Sequence, residues 1–427
     1  MDKFQTKMPV PDIPDATPDK TWPYRVFNAA FETAEKILPA GLQPSLTAQS
    51  VIKAAKIEPS PLAREGLNQL TRSLRAESAL SLFGKVSVHW DLVRLLRNAA
   101  MIGRAHLANP ALAERPIEKP LFILGLPRSG TTFLHALLAE DPENLVPRAW
   151  QTLYPAPRPV GFNPARHKKA RTVDKQLNFF AGLTPEFPLV HPISADSPQE
   201  CSEITSHVFQ SLRFDTTFRV PSYLNWLDNL GHDDAFAFHK RFLQFLQNGV
   251  SARGWVLKCP DHTFSLDAIL HAYPDARFVI VHRDPVRVFA SVAHLTEVLR
   301  RPFLTQIDPA EIGTQVSSRW IEGARALVEF DQRPDIDASR KVHVHYDELV
   351  ADPIAAVQKI YAQFAIKTTP LALACMDEFL AAKPAGGYAR HKRYSISHFG
   401  IKADALRRQF APYTEHFHIN PGNQAAV

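Results

Sequence analysis

The sequence predicts an α/β protein: a mostly parallel sheet flanked by helices, with a helical N-terminal region ahead of it. Three observations carry this reading. Short apolar runs at Leu121-Phe122-Ile123-Leu124, Trp255-Val256-Leu257 and Phe278-Val279-Ile280-Val281 have the length and residue types of buried strands. Each is followed by residues at helical spacing, the alternation that covers both faces of a parallel sheet. Ahead of the first run, Phe27, Phe31, Ala34, Ile37, Leu92, Leu95 and Leu96 fall at helical intervals.

The elements follow in order. Residues 1–22 are polar and proline-rich, which predicts a loose tail unlike a secretory leader. Residues 23–110 form the helical region, and Pro110 and Pro116 mark a linker. The main domain, about 118–420, opens with a strand over 120–125 and a helix over 130–140. From 142 to 198 the prolines (among them Pro147, Pro155, Pro157, Pro159, Pro188 and Pro192) are too dense for continuous helix or central strand. This stretch, to about 250, reads as an insertion that shapes an acceptor pocket. Helices are predicted over 199–212 and 233–249, a strand at 255–258, and a helix over 263–272. A strand over 277–282 leads into a helix opening at Pro285, where proline suits the first turn. The pattern closes with a helix over 309–330, a strand over 341–345, and helices over 353–365, 370–382 and 402–415.

Composition narrows the function classes. Hydrophobic residues make up 45% of the 427, enough for a large core. The net charge of +6 is mild and suits an anionic small ligand; no basic run interleaved with aromatics points to nucleic acid. The densest basic cluster, Arg166-His167-Lys168-Lys169-Ala170-Arg171, reads as a solvated helix face, with peripheral membrane contact as the other reading. No run of about 18 apolar residues predicts a transmembrane helix. Cys201, Cys259 and Cys375 are widely spaced and odd in number, as expected of reduced thiols in the cytoplasm. No Cys/His cluster has metal-ligand spacing, so no metal is expected.

The chemistry concentrates at Gly125-Leu126-Pro127-Arg128-Ser129-Gly130-Thr131-Thr132. A strand, a glycine-bounded turn and a helix start aim backbone N–H groups at one point, which suits a phosphate. The spacing approaches G-x-x-x-x-G-K-[ST], so the loop is P-loop-like. Thr131 stands in the lysine slot, however, and the cation comes earlier, at Arg128. A loop lacking that lysine points away from ATP hydrolysis. A second anchor is Arg283 at a strand end with Ser291 on the next helix, a pair able to clamp another phosphate. Ser197-Pro198-Gln199-Glu200 fits a capping box.

These residues resemble the bacterial sulfotransferase family that uses 3′-phosphoadenosine 5′-phosphosulfate (PAPS) and is related to tyrosylprotein sulfotransferases. The resemblance covers roughly 120–415. Pro127 to Thr132 resemble its 5′-phosphosulfate loop, which implies cofactor contacts from Arg128, Ser129, Gly130, Thr131 and Thr132. Arg283 and Ser291 match the 3′-phosphate motif. Leu257-Lys258-Cys259-Pro260-Asp261-His262 resembles the family's L-K-x-P-x-H stretch, and Pro198 to Cys201 its P-x-E-C segment. Arg390, Lys392 and Arg393 resemble the C-terminal segment that closes over the 3′-phosphate and adenine.

The resemblance implies metal-independent transfer of SO₃ from PAPS to an acceptor hydroxyl. Arg128 and Lys258 would stabilise the leaving phosphate. His262 or Glu200 would take the acceptor proton, with His191 and His135 behind them. Two departures stand out. Gln151 follows Trp150 where relatives carry a glutamate, and Lys392 stands where a histidine is expected. Proline- and aromatic-rich walls over 142–230 suggest an apolar alcohol or lipid acceptor. A P-loop small-molecule kinase and a non-catalytic nucleotide-binding scaffold remain the alternatives.

Overall fold

The computed structural model describes residues 29–31, 33–34, 37, 45–250, 252–382 and 395–419. The continuously described chain from residue 45 opens with three helices: α1 (Ala48–Ala55), α2 (Pro61–Glu77) and α3 (Leu82–Ala108). Thr47, Ser60 and Ser81 cap them by accepting from backbone N–H groups of the first turn. Leu67, Leu70, Leu92 and Leu95 bury one face of this layer against Phe209, Phe214 and Tyr223.

β1 (Leu121–Leu124) and α4 (Thr131–Leu138) follow as predicted, then a two-residue β2 (Asn144–Leu145). α5 (Lys168–Leu183), α6 (Pro221–Leu230) and α7 (Asp233–Leu246) fill the stretch before β3 (Gly254–Lys258). Then come α8 (Leu266–Ala272), β4 (Arg277–His282), α9 (Pro285–Arg300), α10 (Pro309–Asp331) and β5 (Lys341–His345). α11 (Pro353–Gln363), α12 (Pro370–Ala381) and α13 (Ala403–His416) close the described chain.

The sheet is parallel throughout, in the order β2-β3-β1-β4-β5, with Leu121 opposite both Val256 and Arg277. Side chains alternate across it. Phe122, Leu124, Leu257, Phe278 and Ile280 face one core with α7, α9 and α10, while Leu121, Ile123, Val279, Val281 and Val344 face another with α4 and α11. β1 lies between β3 and β4, so the carboxyl ends of all three meet, the position where open α/β sheets bind ligands.

Two stretches differ from expectation. Residues 199–212 do not form one helix: a single turn, Ser202–Thr205, passes into a 3₁₀ turn over 206–208 and ends at Phe209 with φ +57°. Thr205 and Ser211 hydroxyls donate to the Ser202 carbonyl and Ser206 to Glu203, giving the backbone partners that end the helix. Within the proline-dense insertion, α5 occupies the gap between Pro164 and Pro185, where nothing breaks it. No described helix is long and apolar enough to cross a membrane.

Candidate active site

The turn after β1 is held in a shape few residues accept. Gly125 (φ +144°), Arg128 (φ +66°) and Gly130 (φ +100°) all have positive φ. A Cβ on Gly125 would lie 2.5 Å from the Val281 carbonyl oxygen, and one on Gly130 would lie 3.0 Å from Tyr346 Cδ2. The loop therefore lies flush against the end of β4 and against Tyr346. Ser129 N donates to the Leu126 carbonyl at 3.2 Å. Ser129 Oγ is buried without a protein partner, in a residue 1% exposed. An orphaned hydroxyl and a left-handed non-glycine residue, both in a cradle that a Cβ would fill, fit a bound anion. These features suit the phosphosulfate end of a sulfuryl donor.

Arg283 leaves the end of β4 and crosses to this loop. Its guanidinium donates to the Arg128 carbonyl at 2.9 Å and stacks 3.6 Å from the centre of the Tyr346 ring. Burial lowers its pKa. Asp284 caps α9 through Val286 N at 3.0 Å and lies 3.8 Å from Arg287. Ser291 sits on the second turn of α9, partly exposed. Arg128 itself donates to the Val190 carbonyl at 3.0 Å, tying the loop to the insertion.

Lys258, 2% exposed at the end of β3, reaches Thr132 Oγ1 at 3.2 Å and Glu200 Oε1 at 2.5 Å. Glu200 is thus an ion-pair partner, and the predicted capping box is absent: Ser197 Oγ accepts from Ser194 N instead. Burial pushes the Glu200 pKa up, but the Lys258 ammonium, with His191 and Arg128, outweighs it and holds the pKa below the ordinary value. An ionised carboxylate already paired with an ammonium is a weak base.

The other candidates separate. His191 lines the cavity described below, and burial drives its pKa down to about 4 despite Glu200, so its ring is neutral at pH 7. His135 is buried, with its ring against the Val256 carbonyl at 3.2 Å, and lies outside that cavity. His262 is not among the residues that line that cavity. It is 2% exposed, edge-on to Phe122 at 5.1 Å and near Phe236 at 5.9 Å, and burial holds its pKa well below the ordinary value. Gln151 holds structure: its amide oxygen accepts from Arg148 N at 3.2 Å, and its Nε2 donates to the Ala156 carbonyl at 3.1 Å. Arg390, Lys392 and Arg393 lie outside the described residues.

From the loop a cavity of about 420 Å³ extends into the protein. Arg128, Thr131, Thr132 and Glu200 line it beside the loop, and Leu177, Phe180, Phe187, Leu295, Phe303 and Trp320 are among its apolar walls. Sequence reasoning missed several lining groups. Trp90, Asp91 and Arg94 come from α3, in a region that carries no motif. Arg213 donates to Asp91 and, at 3.0 Å, to Glu203, and Arg94 meets Asp91 at 2.5 Å, so two arginines and two carboxylates neutralise one another in the wall. Asp261, next to the more conspicuous His262 in sequence, also lines the cavity. Burial raises its pKa to about 7, assisted by Glu200. No cluster of His, Cys, Asp or Glu among the described residues is placed to hold a metal ion.

A phosphate-binding α/β transferase is the class that this loop, clamp and cavity define. A family model described as the sulfotransferase family matches residues 120–370, more than half the chain, and the protein belongs to that family. It is a sulfotransferase and requires a sulfuryl donor. The chain is 26% identical over 278 residues to the omega-hydroxy-beta-dihydromenaquinone-9 sulfotransferase Stf3 of Mycobacterium bovis and of Mycobacterium tuberculosis, spanning 62% of this chain and 67% of theirs. Among solved structures, sulfotransferase STF9 from Mycobacterium avium matches with a TM-score of 0.80 at 26% identity, over 88% of this chain and 98% of that one. Sulfotransferase STF1 from Mycobacterium tuberculosis H37Rv gives 0.75 at 25% identity, over 88% and 100%.

Proposed function

We propose that this sulfotransferase takes its sulfuryl group from PAPS and transfers it to the hydroxyl of an apolar, lipid-like alcohol. The observation that carries the reading is the continuity of the phosphate loop with a cavity of about 420 Å³ whose lining surface is mainly apolar, from side chains such as Leu177, Phe180, Phe187 and Phe303, although polar and charged residues also line it. Burial of an apolar chain there drives acceptor binding. The name of the matched relative Stf3, a menaquinone-derivative sulfotransferase, supports an acceptor of this kind.

Within this reading Arg128, Ser129, Gly130, Thr131 and Thr132 hold the 5′-phosphosulfate, and Arg283 with Ser291 holds the 3′-phosphate. Lys258 meets the charge that builds on the leaving phosphate oxygen, and Glu200 keeps the Lys258 ammonium in place. Residues 118–420 are the catalytic domain in this reading, and 142–250 supply much of the acceptor pocket, with further residues from α3, α9, α10 and the turn after β3. Cys201, Cys259 and Cys375 are unpaired, as suits the cytoplasm.

The test is incubation with PAPS carrying labelled sulfur and a panel of long-chain alcohols, phenols and charged sugars, with products read by mass. Sulfated apolar alcohols are expected. Sulfation of charged sugars alone would overturn the acceptor class. Turnover of ATP in place of PAPS would overturn the donor.

A further inference from the structure

Asp261 sits where two cavities meet. It lines the acceptor cavity with Glu200, Thr132 and Pro260. It also lines a chamber of about 20 Å³ beneath, together with Gln210, Ser211, Thr205, His232 and His262. A chamber of that size has room for one water molecule, provided polar partners are present. They are. Both amide atoms of Gln210 and both ring nitrogens of His262 are buried without a protein partner, in residues 1% and 2% exposed. Such groups are costly to bury unless they bond to something, and several on one small chamber point to an ordered water.

Asp261 follows Lys258 by three residues, in the 3₁₀ turn Pro260–Phe264, and lines the acceptor cavity, while His262 packs edge-on to Phe122 and lines only the chamber. We infer that Asp261 is the general base of sulfuryl transfer and that a water in the chamber, held by Gln210 and His262, carries the proton away. This inference rests on the donor and acceptor reading above.

The step balances. The acceptor O–H gives its proton to the Asp261 carboxylate, and the oxygen pair forms the new S–O bond. The S–O bond to the 5′-phosphate breaks, and its electron pair leaves with that phosphate, where Lys258 stands. The Asp261 carboxyl then passes its proton to the chamber water. The product is the sulfate ester, and the other product is adenosine 3′,5′-bisphosphate.

The charged surroundings suit this task. Burial, with the charges of Glu200 and Asp215, raises the Asp261 pKa to about 7 against Arg319 and a hydrogen bond with Cys259, which draw it down. Arg319 is itself engaged by Asp228 at 2.9 Å, and Asp215 by Gln315 at 2.5 Å. A carboxyl titrating near neutrality accepts a proton far better than Glu200, whose pairing with Lys258 keeps it a weak base.

The test compares wild type with Asp261→Asn and Asp261→Glu, using an aliphatic alcohol and a nitrophenol as acceptors. In wild type kcat/KM falls on the acid side of about pH 7. Asp261→Asn loses that limb and slows the alcohol by about 10²- to 10⁴-fold. The nitrophenol, already ionised, slows by less than about tenfold, and Asp261→Glu recovers part of the alcohol rate. Binding of adenosine 3′,5′-bisphosphate by the same variants tests the donor reading separately and stays at the wild-type value. Equal loss with both acceptors, an unchanged acid limb in Asp261→Asn, or alcohol turnover within threefold of wild type would overturn the inference.

Discussion

Replacing Lys258 by methionine tests the reactive end of the site most sharply. The residue is 2% exposed and its ammonium touches both Thr132 of the phosphate loop and Glu200. Two separable effects follow. Loss of a preorganised donor aimed at developing charge costs about 10²- to 10³-fold in kcat, or about 3–4 kcal/mol of transition-state stabilisation. Loss of the ion pair also leaves Glu200 without its cation. Breaking a fully buried pair costs about 3–5 kcal/mol, but the Glu200 side chain is 28% exposed, so about 1–3 kcal/mol of folding stability is expected. The double variant Lys258→Met/Glu200→Gln should recover most of that stability and none of the rate. Steady-state kinetics with saturating donor reads the first effect, and urea unfolding reads the second. A single variant with kcat within threefold of wild type would refute the role assigned to Lys258.

Three further outcomes follow. Gly130→Ala adds a Cβ 3.0 Å from Tyr346 Cδ2 at φ +100°, so donor affinity should fall at least about tenfold while the thermal midpoint drops by a few degrees; equal affinity by calorimetry would contradict the cradle. Burial lowers the pKa of His207 and of His239 to about 3, below the unfolded value of about 6.5, so the unfolded state binds more protons between these limits. Their stability contribution is full above about pH 6.5 and is lost as pH falls. Each costs roughly 2 kcal/mol at pH 5, against an opposite contribution from Asp261, whose pKa is raised. Because His135, His262 and His282 shift in the same direction as His207, the melting midpoint should fall from pH 7 to pH 5, and a midpoint that rises would contradict this. Phe180→Asp, which places a charge in the apolar wall, should raise KM for a long-chain alcohol by more than about tenfold and leave binding of adenosine 3′,5′-bisphosphate unchanged.

The sheet was legible because its strands are short apolar runs bounded by punctuation. Phe278–Val281 and Leu121–Leu124 are buried on both faces, so they carry no polar alternation to confuse the reading. The phosphate loop was legible because the backbone geometry demands glycine at 125 and 130. The acceptor side was harder to read. Trp90, Asp91 and Arg94 reach the cavity from a helix far away in sequence, through packing that no local pattern records. Glu200 suits a capping box locally, but its carboxylate is drawn to Lys258, which satisfies a buried ammonium instead of a helix end. His262 stands out in the sequence because imidazole titrates near neutrality, yet burial against Phe122 lowers its pKa, while that of the neighbouring Asp261 is raised by its own burial and by Glu200.

The central claim is a donor site built for two phosphates on one nucleoside. It is tested most directly by calorimetric titration with adenosine 3′,5′-bisphosphate and with ADP, in wild type and in Arg283→Ala. Arg283 bridges the phosphate loop and Tyr346, so the bisphosphate should bind wild type at least about tenfold more tightly than ADP, and that preference should vanish in Arg283→Ala. Equal affinity of wild type for the two nucleotides, or an unchanged preference in the variant, would contradict the account.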